Sequence, residues 1–268
     1  MQQNDLPKIE AGDVKIFLTK DQEVSDQTLL EQYHQLLSEE ELKRYKRFHF
    51  DEHKHQFLVS RALLRSVLGE YLSLEPAEII FEQNSWGKPE IHADQNDQAL
   101  RFNLSHTDGL VALAVTKTKR IGIDVEPIAR EAELLKLADR YFSEAESLAL
   151  KQVPEEEINH DFFSYWTLKE SYIKAVGMGL AIPLDSFGFI LNTDSIGFEI
   201  AEPTTENKKK WRFWQMEASA DHYLALALHS EDNSNNDEEP QSEVNIESFL
   251  GVPAEHFKEV SLSLIRKS

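Results

Sequence analysis

The chain has 268 residues, of which 41% are hydrophobic and 10% aromatic, enough for one two-lobed domain or two small ones. Its net charge of −20 argues against a nucleic-acid binder, because polyanions would be repelled, and the absence of cysteine excludes a disulfide framework. The start, MQQNDLPKIE, lacks a basic and apolar leader, and no apolar run approaches the ~20 residues that span a bilayer, so we expect a cytoplasmic protein without a membrane partner.

The predicted elements form two halves of similar order, residues 1–117 and 118–229, and indicate an α+β fold. The first half is predicted to contain, in order, a strand, three helices and three short strands: Val14–Leu18, Asp26–Tyr33, Glu39–Phe48, Asp51–Leu72, Ile79–Phe81, Arg101–Leu104 and Leu110–Val115. The second is predicted to contain a strand, three helices and four strands: Ile121–Val125, Ala132–Tyr141, Glu144–Lys151, Asn159–Val176, Phe187–Leu191, Gly197–Ile200, Arg212–Glu217 and Tyr223–Leu228. LVALAV in the first half echoes YLALAL in the second, a weak repeat that chance also explains.

The composition changes sharply after these halves. Residues 230–245 are acidic, lack any basic residue and contain almost nothing apolar, which predicts a disordered linker. Residues 246–268 regain apolar side chains, among them Phe249 and Phe257. This tail could dock on the body or on a partner, and the sequence assigns it no role.

The segment from Lys43 to Arg65 is rich in basic residues, although the chain as a whole is acidic. Its basic residues are Lys43, Arg44, Lys46, Arg47, Lys54, Arg61 and Arg65, and its only acidic residues are Asp51 and Glu52. Such a segment favours a site for a particular anion, and a ligand with three phosphates is a candidate. The alternative is a pair of amphipathic helices with a basic outer face. Histidines in the segment lack the spacing and the partners of a zinc site.

Two short motifs carry the best indication of chemistry. In IGIDVE, at Ile121–Glu126, polar residues alternate with apolar ones at the period of a strand, so Asp124 and Glu126 share a face. Close carboxylates repel unless a proton or a cation lies between them, and oxygen ligands suit Mg²⁺. In WTLKESYIK, Glu170 and Lys174 are four residues apart and line one face of a helix. Taken singly, each motif also fits an ordinary solvated surface.

These motifs occur in a longer ordered series. FNLSH at Phe102–His106, IGIDVE, YFSEAE at Tyr141–Glu146 and FSYWTLKESYIKAVGMGL at Phe163–Leu180 resemble the motifs of the 4′-phosphopantetheinyl transferases of the Sfp type. RYKRF, SRALLR and WGKPEI, upstream, are also similar to that family, and the likeness covers about residues 15–230. The resemblance implies a pseudo-duplicated two-lobed α+β fold with the active site in a cleft between the lobes. It implies transfer of the phosphopantetheine arm of coenzyme A to a serine of an apo carrier protein, leaving 3′,5′-ADP.

The resemblance also implies roles for individual residues. The Mg²⁺ ligands would be Asp124, Glu126 and Glu170, and Lys174 would contact the diphosphate. Coenzyme A would contact Arg44, Arg61, Lys88, Ser105 and His106, with His106 near the 3′-phosphate and Lys88 near the nucleotide. The sequence departs from the family pattern at Glu41 and Phe57, where relatives can carry a phosphate-contacting lysine and a threonine.

The expected mechanism is a substitution at phosphorus in which positioning and electrostatics do most of the work. Glu170 is our first choice for the acceptor of the serine proton, and Glu146 the second, although Glu146 could equally be an ordinary exposed helix residue. We expect a monomer whose partners are coenzyme A and a carrier protein. The alternatives are a metal-dependent hydrolase of nucleotides or coenzyme A, and a non-catalytic module that binds coenzyme A or docks a carrier.

Overall fold

The computed structural model describes residues 6–117, 120–128, 133–201, 206–229 and 243–268. The described chain divides into two compact units. The first comprises residues 6–83, 89–117 and 243–261, and the second comprises 84–88, 120–128, 133–201, 206–229 and 262–268. Most of the predicted linker, 230–242, lies outside the described residues.

Both units combine a run of helices with mostly antiparallel strands, which makes the fold α+β. In chain order up to residue 117 they are β1 (Val14–Thr19), α1 (Gln27–Leu36), α2 (Glu39–Tyr45), α3 (Asp51–Leu72), β2 (Phe81–Gln83), β3 (Pro89–Ile91), β4 (Leu100–Thr107) and β5 (Leu110–Lys117). From residue 120 to 229 they are β6 (Arg120–Pro127), α4 (Leu134–Tyr141), α5 (Glu144–Leu150), α6 (Ile158–Val176), β7 (Phe187–Leu191), β8 (Ile196–Ile200), β9 (Trp211–Ser219) and β10 (His222–His229). The tail adds β11 (Ile246–Val252), β12 (His256–Val260) and β13 (Ser263–Lys267).

Each unit packs helices on one sheet. The sheet of the first unit has the strand order β12-β11-β1-β5-β4, and that of the second has β13-β9-β10-β6. The repeated apolar motifs are the buried strands β5 and β10. Strands β2 and β3 pair separately, as do β7 and β8. Among the described helices, none is both long and apolar enough to cross a bilayer.

One long helix builds the core of each unit. In the first unit, α3 packs with Leu64 and Leu68 against Phe17, Val111 and other apolar side chains of the sheet. In the second unit α6 lies on β6 and β10, and its Tyr172 belongs to a cluster of aromatic rings. Because α6 is held along its length by this core, its backbone has a fixed position on the sheet.

The tail belongs to both sheets. β11 pairs in parallel with β1, and Phe249 stacks on Phe17 with ring centres 5.3 Å apart. β13 pairs with β9. Beyond β13, the N–H of Phe213 donates to the hydroxyl of Ser268, and the N–H of Ser268 donates to the carbonyl of Phe213. Of the two alternatives for the tail, docking on the body is therefore the one observed.

Candidate active site

Strand β6 and helix α6 bring the two chemical motifs together in the second unit. A Cβ atom at Gly122 would overlap backbone atoms of Ser171 and Ala175 on α6, so the two backbones approach more closely than any other residue allows. Side chains alternate along a strand, and Asp124 and Glu126 therefore project from the same face of β6 as Gly122. The close approach places Asp124 beside the last turns of α6, where it meets Lys174.

Lys174 links the two elements directly. Its Nζ donates a hydrogen bond to Oδ1 of Asp124 at 2.6 Å. The side chain of Asp124 is 4% exposed and that of Lys174 is 27% exposed. A charge-assisted bond of this length is strong where water is largely excluded. Lys174 still reaches solvent, so a ligand can approach it.

Glu170 lies one helical turn before Lys174 and is half-buried. Burial raises the pKa of Glu170, the charge of Asp124 raises it further, and Lys174 opposes both effects. The two carboxylates thus interact unfavourably when both are charged. An additional cation at this place would relieve that repulsion.

The three predicted metal ligands fit Mg²⁺ by their chemistry, because all are carboxylates and Mg²⁺ prefers oxygen ligands. In the part of the chain that the structure describes, however, no group of three histidine, aspartate or glutamate side chains is already arranged to hold a metal ion. Asp124 pairs with Lys174 in this conformation. Lys174 bonds one carboxylate oxygen of Asp124, Oδ1, and a carboxylate can give its second oxygen to a metal, so coordination by Asp124 is compatible with this ion pair.

Glu146 belongs to a second, fully buried ion pair. Its side chain is 1% exposed, and Oε2 lies 2.7 Å from Nζ of Lys169, which is 0% exposed. Oε2 also accepts from the N–H and the hydroxyl of Ser143, both at 2.8 Å, and Oε1 accepts from the N–H of Phe189 at 2.8 Å. The expectation of an exposed helix residue was wrong, because Glu146 caps α5 and neutralises Lys169.

Lys88 also lies in the second unit, in the segment 84–88. Its Nζ donates to the carbonyl oxygen of Ile121 at 3.1 Å and to that of Ala175 at 3.3 Å. These contacts place Lys88 at the end of α6 and the beginning of β6. Its contact with a nucleotide stays a prediction.

The other predicted coenzyme A residues lie in the first unit. The guanidinium groups of Arg44, at the end of α2, and Arg61, in α3, lie 5.4 and 5.3 Å from the ring centre of Phe57. On β4, Ser105 is buried and His106 is exposed. An open groove of about 570 Å³ is lined by Glu40, Lys43, Arg44, Arg47 and Phe48.

Glu41 has an internal role at the position where it departs from the family pattern. Its Oε2 accepts from Nε of Arg65 at 2.9 Å and lies 2.8 Å from another nitrogen of the same guanidinium. Its Oε1 lies 3.8 Å from Arg61. Arg65 is 1% exposed and is therefore part of the interior, whereas Lys43, Arg44, Lys46 and Arg47 are exposed and available to an anion.

Sequence reasoning missed three residues that organise these sites: Gly122, Lys169 and Glu41. Lys169 follows Leu168 and lies near Tyr165 and Tyr172 on the buried side of α6, so a lysine among apolar helix positions was the available signal. Gly122 sits inside a strand, where a glycine often marks a close backbone approach. For Glu41 the capping box with Ser38 was readable, but its pairing with Arg65 was not.

Comparison with known proteins decides the family. Residues 120–227 match the 4′-phosphopantetheinyl transferase superfamily, and residues 24–118 match the family described as 4′-phosphopantetheinyl transferase, N-terminal. The 4′-phosphopantetheinyl transferase ffp of Bacillus subtilis is 35% identical over 170 residues, which cover 63% of this chain and 73% of the relative. The chain belongs to the 4′-phosphopantetheinyl transferase family.

Two other relatives agree. 4′-Phosphopantetheinyl transferase Sfp of Bacillus subtilis strain 168 is 35% identical over 167 residues, or 61% of this transferase and 70% of Sfp. 4′-Phosphopantetheinyl transferase HetI of Nostoc sp. strain PCC 7120 is 43% identical over 145 residues. The chain spans 61% of HetI's length, and the match covers 54% of the chain. The predicted membership of the Sfp-type family is thus confirmed, and strands β11 to β13 lie beyond the matched segment 120–227.

Proposed function

We propose that this transferase moves the 4′-phosphopantetheine arm of coenzyme A onto a serine of an apo carrier protein, with Mg²⁺ in the site. The observation that carries the proposal is the ion pair between Lys174 and Asp124, with Glu170 beside it, inside the segment that matches the superfamily. A cation and paired carboxylates at one place suit a diphosphate together with its counter-ion.

The reaction is balanced without a further reactant. The serine oxygen forms a bond to the pantetheine-side phosphorus, and the bond between that phosphorus and the bridging oxygen breaks. The bridging oxygen leaves with 3′,5′-ADP, and the hydroxyl proton passes to a carboxylate. Bound Mg²⁺ supplies positive charge that neutralises the diphosphate oxygens.

The residues of the second unit divide this work. Asp124, Glu126 and Glu170 would hold the metal, and Lys174 would stabilise charge on the leaving group. Glu170 would accept the serine proton, directly or through a water. Glu146 has weaker support as a proton acceptor, since buried donors already occupy both of its carboxylate oxygens.

Residues of the first unit would hold coenzyme A. Arg44 and Arg61, on either side of Phe57 in sequence, present guanidinium groups that suit phosphate oxygens. His106 is exposed and would meet the 3′-phosphate, and Ser105 precedes it on β4. We expect the transferase to act as a cytoplasmic monomer on an acyl or peptidyl carrier.

The test is an incubation of the full chain with coenzyme A, Mg²⁺ and a small panel of apo carrier proteins. We expect the mass of at least one carrier to rise by one phosphopantetheine group, with equimolar release of 3′,5′-ADP and no gain on a carrier whose acceptor serine is alanine. Release of 3′,5′-ADP at the full rate without a carrier would instead indicate a hydrolase. Binding of coenzyme A with no product would indicate a non-catalytic module.

A further inference from the structure

The segment 84–88 closes the C-terminal end of α6. Nζ of Lys88 donates to the carbonyl of Ala175, in the last turn of the helix, and to that of Ile121, near the start of β6. Nδ2 of Asn84 donates to the carbonyl of Gly177 at 3.0 Å. The last carbonyl groups of a helix find no N–H donor within the helix. The side chains of Lys88 and Asn84 therefore donate to carbonyl oxygens that would otherwise need water.

The backbone of this segment is itself well fixed. Oδ1 of Asn84 accepts from the N–H groups of Trp86 at 2.9 Å and Lys88 at 3.0 Å, and the N–H of Asn84 donates to the carbonyl of Lys88 at 3.0 Å. Gly177 has a φ of +79°, and a Cβ there would lie 2.8 Å from Cδ of Lys88. The aliphatic stem of Lys88 therefore lies against the helix end and directs its ammonium group at the two carbonyls.

We propose that Lys88 is a positioning residue that fixes the end of α6 against β6 and so sets the distance between Lys174 and Asp124. Ala175 directly follows Lys174, and Ile121 lies three residues before Asp124 on the same strand. A single ammonium group thus binds the backbones of both elements that carry the site. The partial negative charge at the end of a helix favours a cation there.

Lys88 could act in either of two ways, and experiment can distinguish them. A lysine that contacts the nucleotide would contribute mainly to binding of coenzyme A. A lysine that holds α6 on β6 would contribute to the geometry of the reacting groups, and its loss would loosen the helix end even without substrate. The kinetic part of this inference rests on the proposed function, whereas the effect on the helix end does not.

The first test uses the free protein and hydrogen exchange followed by mass spectrometry. Lys88→Met keeps the length of the side chain but removes its donors. We expect exchange in the last turn of α6, residues 173–177, to become about tenfold faster, with recovery in Lys88→Arg and no change in Lys136→Met, which alters an exposed lysine of α4. Unchanged exchange in folded Lys88→Met would overturn the proposal.

The second test is carrier loading by the same variants. We expect Lys88→Met to lower kcat about tenfold while KM for coenzyme A stays within about twofold of the wild-type value. A rise in KM at unchanged kcat would overturn the proposal and assign Lys88 to the nucleotide. Asn84→Asp keeps the acceptor of the turn but loses the donor to Gly177, and it should shift kcat and exchange in the same direction even if Lys88→Met does not fold. If the wild-type protein loads no carrier, the proposed function fails while the exchange result still decides the role of Lys88.

Discussion

Two lysine–carboxylate pairs in the second unit differ in their access to solvent. Lys174 is partly exposed and pairs with Asp124 through one oxygen, so the pair can open towards a ligand. Lys169 is fully buried, pairs with Glu146 and donates to the carbonyl groups of Leu184 and Phe187. Since burial of unpaired charge is costly, the second pair has to stay closed in the folded protein.

Glu146 and Lys169 are therefore expected to matter for stability. Glu146→Gln leaves Lys169 buried without its counter-charge, and we expect a loss of about 3–5 kcal/mol in the free energy of unfolding, measured by chemical denaturation. Lys169→Met should have a similar effect. The double variant removes both charges and should recover part of the loss. A Glu146→Gln protein that is as stable as wild type but inactive would instead make Glu146 the proton acceptor.

For single residues, the sequence predicted which side chains share a face of a helix or strand but not which residues of other elements each face contacts. The spacing of Glu170 and Lys174 and the alternation of Asp124 and Glu126 follow from helix and strand geometry. The choice of Asp124 as the partner of Lys174 depends on how α6 lies on β6, which is a tertiary property. The burial of Glu146 depends in the same way on packing that a local pattern does not contain.

Among the elements, the contact between β6 and α6 depends on Gly122. Any side chain there would meet the backbone of Ser171 and Ala175, with Cα of Ala175 at 3.0 Å from the added carbon. Backbone atoms cannot rotate away, so the helix and the strand would have to separate.

Gly122→Ala is expected to lower the free energy of unfolding by about 1–3 kcal/mol and to reduce carrier loading by more than its loss of folded protein explains. The second effect arises because Lys174 and Glu170 would move relative to Asp124. Gly197→Ala, on β8, is the control, since its added carbon would meet the Cβ of Ile190 at a milder 3.1 Å. Equal activity per folded molecule in Gly122→Ala and wild type would contradict this account.

Long periodic elements were predictable and short ones were not. The apolar period of α3 predicted its bounds, Asp51–Leu72, as observed. Strand β3, Pro89–Ile91, was missed because three residues that begin with proline carry no pattern. Strand β13 was missed for another reason: its partner β9 is distant in the sequence, so neither its pairing nor its register could be inferred locally.

For the whole molecule, the tail contributes to the core as well as to the sheets. Phe249 is 7% exposed and stacks on Phe17, and Glu247 pairs at 2.7 Å with Lys15, which is itself buried. The hydroxyl of Tyr33 donates to the carbonyl of Pro253 at 2.6 Å. The α+β fold class could be predicted from the order of the helices and strands, whereas this return of the chain to β1 could not.

The tail can be tested by a matched pair of substitutions. Phe249→Ala removes a buried ring and should lower the free energy of unfolding by about 3–5 kcal/mol. Leu264→Ala, at a side chain in β13 that is 51% exposed, should change it by less than about 1 kcal/mol. Similar small effects of both substitutions in thermal or chemical unfolding would show that the tail adds little to the core.

Stability should also depend on pH through His229, which is 8% exposed. Burial lowers the pKa of His229 from 6.5 to about 4, the positive charge of Arg120 acts in the same direction, and Glu206 opposes them. Below about pH 6.5, His229 therefore binds a proton in the unfolded chain. In the folded chain it binds that proton only below about pH 4. The contribution of His229 to the free energy of unfolding is fully present above about pH 6.5. It is lost as the pH falls from about 6.5 to about 4, by up to about 3 kcal/mol.

Unfolding curves between pH 7 and pH 4 measure this dependence. His229→Gln should flatten the slope that this residue contributes in that interval, and His256→Gln, at an exposed histidine, should leave it unchanged. An identical slope in wild type and His229→Gln would mean that His229 is protonated equally in both states.

The account depends most on the carboxylates of β6 and α6 holding a metal against the diphosphate of coenzyme A, and carrier loading followed by intact mass tests this directly. We expect EDTA to abolish loading, Mg²⁺ to restore it, and Asp124→Asn to lower the rate at least about a thousandfold, as expected for several kcal/mol of lost charge stabilisation. Asp194→Asn, at an exposed aspartate, should load at the wild-type rate. Full loading in EDTA, or a folded Asp124→Asn protein that works at the wild-type rate, would contradict the account.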